Sequence, residues 1–362
     1  MRIFENRAIF KLRKRLSGEI NRERAMVSLK DIASQCGVSV ATVSKSLNDH
    51  SDIGIETKQR VRQVAKELGY VPNAAAKSMK TNRTHNIGVL FMDDANSGLT
   101  HDFFASVLES FKRGVEKEGY DITFISNDRT RPGRSTYLTH ARYRRFDGVI
   151  IANVHFDDPE VVQLVKSDIP VVTIDHLYND TITILSDNVE GVATLVDYAV
   201  QNGHKKIAFI HGADSSVTKA RLITFNRKME EYGIELPEEY IVESPYRDTH
   251  GAYERTLELL DMQDRPTCIF YPDDYAAYGG MRAIAEKGLK VPDDVSVVGF
   301  DGIRVARHIR PRLTTYRQDT DELGAQAAKN LIDLIERPKT TLVQQIVVKG
   351  KLLEGDTLKK IN

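Results

Sequence analysis

Four aspartates close apolar runs in the body of this 362-residue chain: Asp93, Asp175, Asp274 and Asp301. A carboxylate at the end of a buried strand can cap the next helix, accept hydrogen bonds from a hydroxylated ligand, or exchange a proton. One such aspartate reads as a cap; four at equivalent strand ends read as a shared binding face. The stretch Leu29–Leu47, LKDIASQCGVSVATVSKSL, offers a different chemistry. It reads as two short helices about a turn at Gly37, with Ser39 capping the second. Val43 and Leu47 face the core, which leaves Val40, Ala41, Thr42, Ser44 and Lys45 on the open side. A small-residue face with one cation fits a DNA major groove. The same spacing also fits an ordinary helical hairpin.

No catalytic arrangement stands out. There is no P-loop, no GxGxxG after the first strand, no GxSxG, no HExxH and no CxxC. The two cysteines, Cys36 and Cys268, make neither a disulfide framework nor a metal cluster, and they suit a reducing cytoplasm. The expectation is therefore no catalytic residues, no metal and no cofactor. A net charge of zero hides an asymmetry: residues 1–83 carry 17 Lys and Arg against 8 Asp and Glu, a surplus of nine that the remainder cancels. A basic head on an acidic body points to a polyanionic partner for the head alone. No apolar run is long enough to span a bilayer.

The elements that must position these residues follow from periodicity. Residues 1–26 are a basic extension with nothing patterned to pack, either a disordered arm or a start placed too early. Of these the second is favoured, because Met26 stands just before the first helix. A third helix is expected over Ile55–Leu68, and a further short one, capped by Asn73, over Ala74–Lys80. That last helix has little apolar surface and needs a partner to order it. From Asn86 onward, strand-like runs alternate with amphipathic helices. The runs cover 86–92, 120–126, 146–153, 169–175, 181–187, 205–212, 240–244, 267–272, 295–301 and 313–318. Helices are expected at Phe103–Glu118, Val189–Asn202, Thr218–Tyr232, Gly251–Leu260 and Tyr275–Lys287. Ten strands exceed one compact sheet, so the body reads as two doubly wound parallel-sheet subdomains with a ligand cleft at the strand carboxyl ends. A last strand-like run lies at 343–352, with no room after it for a heptad helix.

From Val27 onward the chain resembles the LacI/GalR family of bacterial transcriptional regulators. The matching stretches are SLKDIASQCGVSVATVSKSLN (28–48), ELGYVPNAAAKSMKTNRTHNIGVLF (67–91), GHKKIAFIHG (203–212), VPDDVSVVGFDG (291–302) and RLTTYRQD (312–319). The resemblance implies a small all-α helix-turn-helix head (27–72), a hinge helix and linker (73–84), and an α/β core like a periplasmic sugar-binding protein (85–362). It implies a cytoplasmic, nucleoid-associated homodimer on a pseudo-palindromic operator, acting mainly as a repressor and switched by a small effector. In the matching positions Val40 and Ala41 face base edges, where they can read only apolar features such as thymine methyls. Lys45 stands where arginine is frequent and donates to guanine. Lys30, Thr42, Ser44 and Asn48 suit phosphates, and Ser39 caps the reading helix. In the hinge helix, with Asn73 and Ala76, Met79 takes the place of the usual minor-groove leucine wedge. In the core, Arg221 matches the family's effector arginine, although the glycine of the following Gly-aromatic pair is here Thr224. Asp175 and Asp274 match acids that accept from sugar hydroxyls. Tyr246 lies where a ring can stack on a sugar, and Asp93 and Phe104 lie on the first strand-to-helix connection. His211 reads as structural. Acids around one arginine suit a sugar or neutral polyol better than a phosphate. The alternatives, a solute-binding protein with an incidental head or an enzyme using the cleft, lack supporting motifs.

Overall fold

The structure, a computed structural model, describes residues 27–71, 83–92, 98–126, 133 and 135–361. The chain divides into two units, 1–82 and 83–362. In the first, α1 (Leu29–Cys36), α2 (Val40–Leu47) and α3 (Ile55–Glu67) enclose one small core of Ile32, Ala33, Cys36, Val43, Val61 and Ala65. Gly37 makes the turn between α1 and α2 at φ 64°, a left-handed conformation that needs no Cβ. The Val38 N–H then reaches back to Ala33 O at 3.1 Å. Ser39 caps α2 by accepting from the Thr42 N–H at 3.0 Å.

The second unit holds two sheets of six strands. The first half comprises β1 (Asn86–Phe91), α4 (Asp102–Lys117), β2 (Asp121–Phe124), α5 (Tyr137–Arg144), β3 (Gly148–Asn153), α6 (Pro159–Val165), β4 (Val171–Ile174) and β5 (Ile182–Ser186). The second comprises α7 (Asn188–Gln201), β6 (Ile207–His211), α8 (Ser216–Glu231), β7 (Ile241–Glu243), α9 (Thr249–Leu260), β8 (Cys268–Phe270), α10 (Asp274–Glu286), β9 (Ser296–Asp301) and β10 (Thr314–Arg317). The chain then returns to the first half as α11 (Thr320–Glu336) and β11 (Gln345–Val348), and crosses once more to finish the second sheet with β12 (Lys351–Leu353). The strand orders are β11-β5-β4-β3-β1-β2 and β12-β10-β9-β8-β6-β7. The pairings are parallel except β10 with β12. Helices cover both faces of each sheet: α4 and α11 over Ile87, Val89 and Ile150, α5 and α6 over Leu90, Val149 and Ile151. Successive residues of β3 thus serve opposite cores, as a strand buried on both sides requires.

The ten strand-like runs from residue 86 to 318 are all strands. The run at 343–352 is two strands in different sheets, and that is the main departure from expectation. Gly350 sits at the break, where a Cβ would lie 2.3 Å from Arg317 O. The close approach turns one apolar run into a crossover. Among the described residues no helix is long and apolar enough to cross a membrane. Asn73, Ala76, Met79 and Asp93, with the expected hinge helix, lie outside the described residues.

Candidate functional sites

In the head, Val43 is fully buried while Val40 is 40% exposed, and Ala41, Lys45, Asn48 and Lys30 are exposed as well. The open face is therefore the expected one, and several of its polar groups already have partners. The Ser39 and Thr42 hydroxyls share a hydrogen bond of 2.8 Å. The Asn48 amide donates to Ser44 O at 2.7 Å. Lys45 ion-pairs with Asp52 in the following turn. The sequence spacing alone does not reveal this pair.

In the core, three segments cross between the halves: Asp187–Asn188, Gln318–Asp319 and Lys349–Gly350. The carboxyl ends of the central strands face each other across the cleft this leaves. Arg221, on α8, is its centre and is only 5% exposed. Its Nε donates to Asn188 Oδ1 at 2.7 Å and its NH1 to Pro272 O at 2.8 Å. Its guanidinium lies over the Phe300 ring at 3.6 Å, with the Tyr246 ring 5.9 Å away. Tyr246 shares a hydrogen bond with the Thr218 hydroxyl at 2.8 Å. Its ring rests on the bare backbone of Gly212, where a Cβ would meet it at 2.1 Å.

Asp301, at the end of β9, takes Gln318 Nε2 at 2.7 Å. Burial pushes its carboxyl up to about 7, against the pull of Arg221. Asp175 accepts the Ser186 N–H at 2.6 Å and hydroxyl at 3.0 Å, and burial raises its carboxyl too. Asp274 is more deeply enclosed. Its two oxygens take the Ile303 N–H at 2.8 Å and the Thr315 hydroxyl at 2.6 Å. Burial, then the nearby Asp301, holds it well above the ordinary carboxylate range. In this arrangement Asp274 ties the segment after β9 to β10, and its neighbour Asp273 caps α10 through the Ala276 N–H at 2.9 Å. Phe104 packs on Phe91, Phe103 and His101 at ring distances of 5.4, 5.0 and 4.9 Å, at the start of α4. His211 Nδ1 is bonded to Gly212 O at 2.8 Å within its own strand end.

The halves touch directly beside Phe104. Tyr275, on α10, donates to Asp102 Oδ2 of α4 at 2.6 Å. Arg247 covers the Tyr275 ring at 4.2 Å and lies 3.7 Å from the same oxygen. The Arg247 N–H is anchored on Asp273 Oδ2 at 2.6 Å. Asp175, Arg247 and Asp301 all hold positive φ, at 54°, 62° and 102°. Strained non-glycine backbone at three cleft positions is a feature of functional sites.

Residues 28–73 match the family described as bacterial regulatory proteins, lacI family, and residues 196–358 match a periplasmic binding protein-like domain. The probable HTH-type transcriptional repressor ExuR of Bacillus subtilis is 32% identical over 340 residues, covering 93% of this chain and 99% of that protein. The chain belongs to the LacI family. It is accordingly a DNA-binding transcriptional regulator and not an enzyme. The HTH-type transcriptional repressor PurR of Mannheimia succiniciproducens is 33% identical, covering 93% of this chain and 100% of that one. Among solved structures, the lac repressor dimer bound to operator and the anti-inducer ONPF matches with a TM-score of 0.79 and 25% identity, over 92% of this chain and 99% of that chain. The regulator CelR in complex with cellobiose matches at 0.66 and 25%, over 91% and 99%. A LacI-family regulator of Enterococcus faecium with bound ribose matches at 0.66 and 25%, over 76% and 100%.

The cleft of this LacI-family chain holds residues that sequence reasoning left out of the effector set. Asp301 is one of the four strand-end acids read as a shared binding face, but it is absent from the effector residues that the resemblance implies. Phe300 and Gln318 stand inside the matching stretches 291–302 and 312–319 but carry no site assignment there, while Asp102, Arg247, Asp273 and Tyr275 lie outside every matching stretch, and only the fold brings the starts of α4 and α10 together.

Proposed function

We propose that this regulator represses transcription as a homodimer on a pseudo-palindromic operator, and that a sugar or sugar derivative in the core cleft controls it. Residues 27–72 bind DNA, 73–84 form the hinge helix and linker, and 85–362 bind effector and dimerise. Val40, Ala41 and Lys45 meet the bases, while Lys30, Thr42, Ser44 and Asn48 meet phosphates. Asn73 caps the hinge helix, Ala76 lies on it, and Met79 wedges the central base step. The protein works in the cytoplasm, at the nucleoid.

One observation carries the effector reading: a buried arginine under two aromatic rings, with Asp301 and Asp175 at the adjoining strand ends. On this reading the Tyr246 ring stacks on the apolar face of a sugar, and Arg221 and the strand-end carboxyls bond its hydroxyls. Ligands named with the solved relatives, cellobiose and ribose, are of the same class. The test has two steps. Genomic fragments retained by the full chain define its DNA, and a carbohydrate panel is then screened by thermal shift and for altered retention of that DNA. A carbohydrate that raises the melting midpoint and changes DNA affinity supports the reading. Retention of no fragment above random DNA defeats it. Met79→Lys should lose retention at least tenfold with effector binding intact; unchanged retention removes the wedge.

A further inference from the structure

The outer strands of a sheet present N–H and C=O groups that a further strand can take up, and proteins usually guard them with charge. Among the described residues the two sheets end in four such strands: β2 and β11 on the first, β7 and β12 on the second. Three of them carry an exposed charge within the strand, Asp121 in β2, Glu243 in β7 and Lys351 in β12. β11 carries none. Its residues are Gln345, Ile346, Val347 and Val348, and the uncharged run around it extends from Thr340 to Val348, between Lys339 and Lys349. Within that run Leu342, Val343 and Val347 are 78%, 52% and 53% exposed. Three large apolar side chains in one short exposed segment mark an interaction surface.

The strand is firmly seated on its inner side. Val348 is buried in the core that α11 supplies with Leu331, Ile332 and Ile335, and Ile346 packs against the same core. β11 pairs with β5 in parallel, Gln345 beside Thr183 through Val348 beside Ser186. The Thr183 N–H donates to Gln344 O at 3.1 Å and the Asp187 N–H to Val348 O at 2.9 Å. Backbone groups of successive residues turn to opposite sides of a strand, so Gln344, Ile346 and Val348 serve β5. The N–H and C=O groups of Gln345 and Val347 then point out of the sheet. One side is anchored and the other is bare, which is the arrangement that accepts an added strand.

We propose that β11 is an association surface for a second copy of this chain, joined by antiparallel β11–β11 pairing that continues the first sheet from one copy into the other. A two-fold axis puts the same patch on both sides of the contact, so the patch must be complementary to itself. This one is: no residue from 340 to 348 is charged, and no like charges meet across the axis. Outward N–H groups of one copy face outward C=O groups of the other, and the exposed valines cover each other. Each β11 has one bare side, so the association closes at a pair. The inference stands apart from the effector and DNA readings. Where the proposed homodimer forms through another surface, β11 brings two such dimers together and doubles the number of heads in the particle.

Sedimentation equilibrium of the full chain, without DNA or carbohydrate, counts the chains in each particle. Val347→Lys puts a charge on the outward side of the edge and should halve that count, from four to two or from two to one. An unchanged count overturns the proposal. Two chains in both proteins would leave the homodimer standing on another surface, and one chain in both would remove the homodimer as well. If Val347→Lys does not fold, Gln345→Lys, at a position already exposed and polar, takes its place with the same outcomes. Amide hydrogen exchange then locates the contact. The Gln345 N–H should exchange about tenfold or more slowly in wild type than in Val347→Lys at the same concentration, while the Ile346 and Val348 N–H groups stay protected in both. With Gln345→Lys, the Val347 N–H is read in the same way. Equal exchange of the outward N–H in the two proteins overturns the strand pairing.

Discussion

The two halves of the core share a strand order and differ in what they place at the cleft. The second half contributes Arg221, Tyr246, Asp273, Phe300 and Asp301, each bonded to or stacked on another buried group of its own half or of a crossover segment. The first half contributes Asp175, held by Ser186 of its own sheet, the Phe104 ring cluster, and Asp102, whose carboxylate is held from across the gap. One half is therefore a preorganised platform. The other carries fewer such groups and is joined to it by the Tyr275–Asp102 and Ser216–Asp175 hydrogen bonds and by three crossings. One strand order, with only the edge pairing differing (β5 with β11 parallel, β10 with β12 antiparallel), thus carries polar groups distributed unequally over equivalent strand ends.

Arg221→Ala should disturb the second half most. The change strips donors from Asn188 and Pro272 and empties the space under Phe300, for a cost of about 3 kcal/mol in the second half. A thermal melt should show that loss, and no carbohydrate should then raise the midpoint; a normal ligand shift removes Arg221 from the site. Next in size is Gly212→Ala. The new methyl must displace the Tyr246 ring, costing about 1–3 kcal/mol and weakening carbohydrate binding by about tenfold. The analogous overpacking at Gly324→Ala should destabilise the first half without touching ligand contacts, which calorimetry of ligand binding in the surviving fold can check.

A smaller effect concerns pH. The folded-state carboxyl of Asp301 lies near 7, above its unfolded value, so the folded protein binds the extra proton between about pH 4 and pH 7. Its contribution to stability is complete at the acid end of that window and declines as pH rises through 7. Asp301→Asn should flatten that part of the midpoint-against-pH curve. The smallest effect is in the head. Asp52→Asn frees Lys45, which should tighten DNA retention about two- to fivefold at low salt and leave the melting midpoint unchanged. Weaker retention would show that the pair orients Lys45 instead of occupying it.

Much of this was legible in the residues. Strands were readable because parallel strands buried on both faces are near-continuous apolar runs, and the turn at Gly37 because only glycine takes its φ cheaply. Three helices not named from the sequence, α5, α6 and α11, show where the reading thins. α6 has seven residues, and α5 ends in arginines on a weakly sided pattern. α11 packs through Gly324, Ala327 and Ala328, whose small side chains mark close approach more than hydrophobicity. Among the acids, the sequence located strand ends but not which carboxylate faces the cleft. Asp274 has both oxygens satisfied within its own half, and Asp301 beside it keeps one oxygen clear of Gln318. The Tyr275–Asp102 contact was beyond reach, since the two residues lie 173 positions apart.

On the proposed reading, a ligand held by the second half changes DNA binding by the head. The most direct test titrates a carbohydrate that stabilises the full chain against its recovered genomic DNA, in wild type and Arg221→Ala. The wild type should change DNA affinity about tenfold or more across the titration, and Arg221→Ala should hold one affinity throughout. DNA affinity indifferent to a bound carbohydrate, or an equal response in Arg221→Ala, would contradict the account.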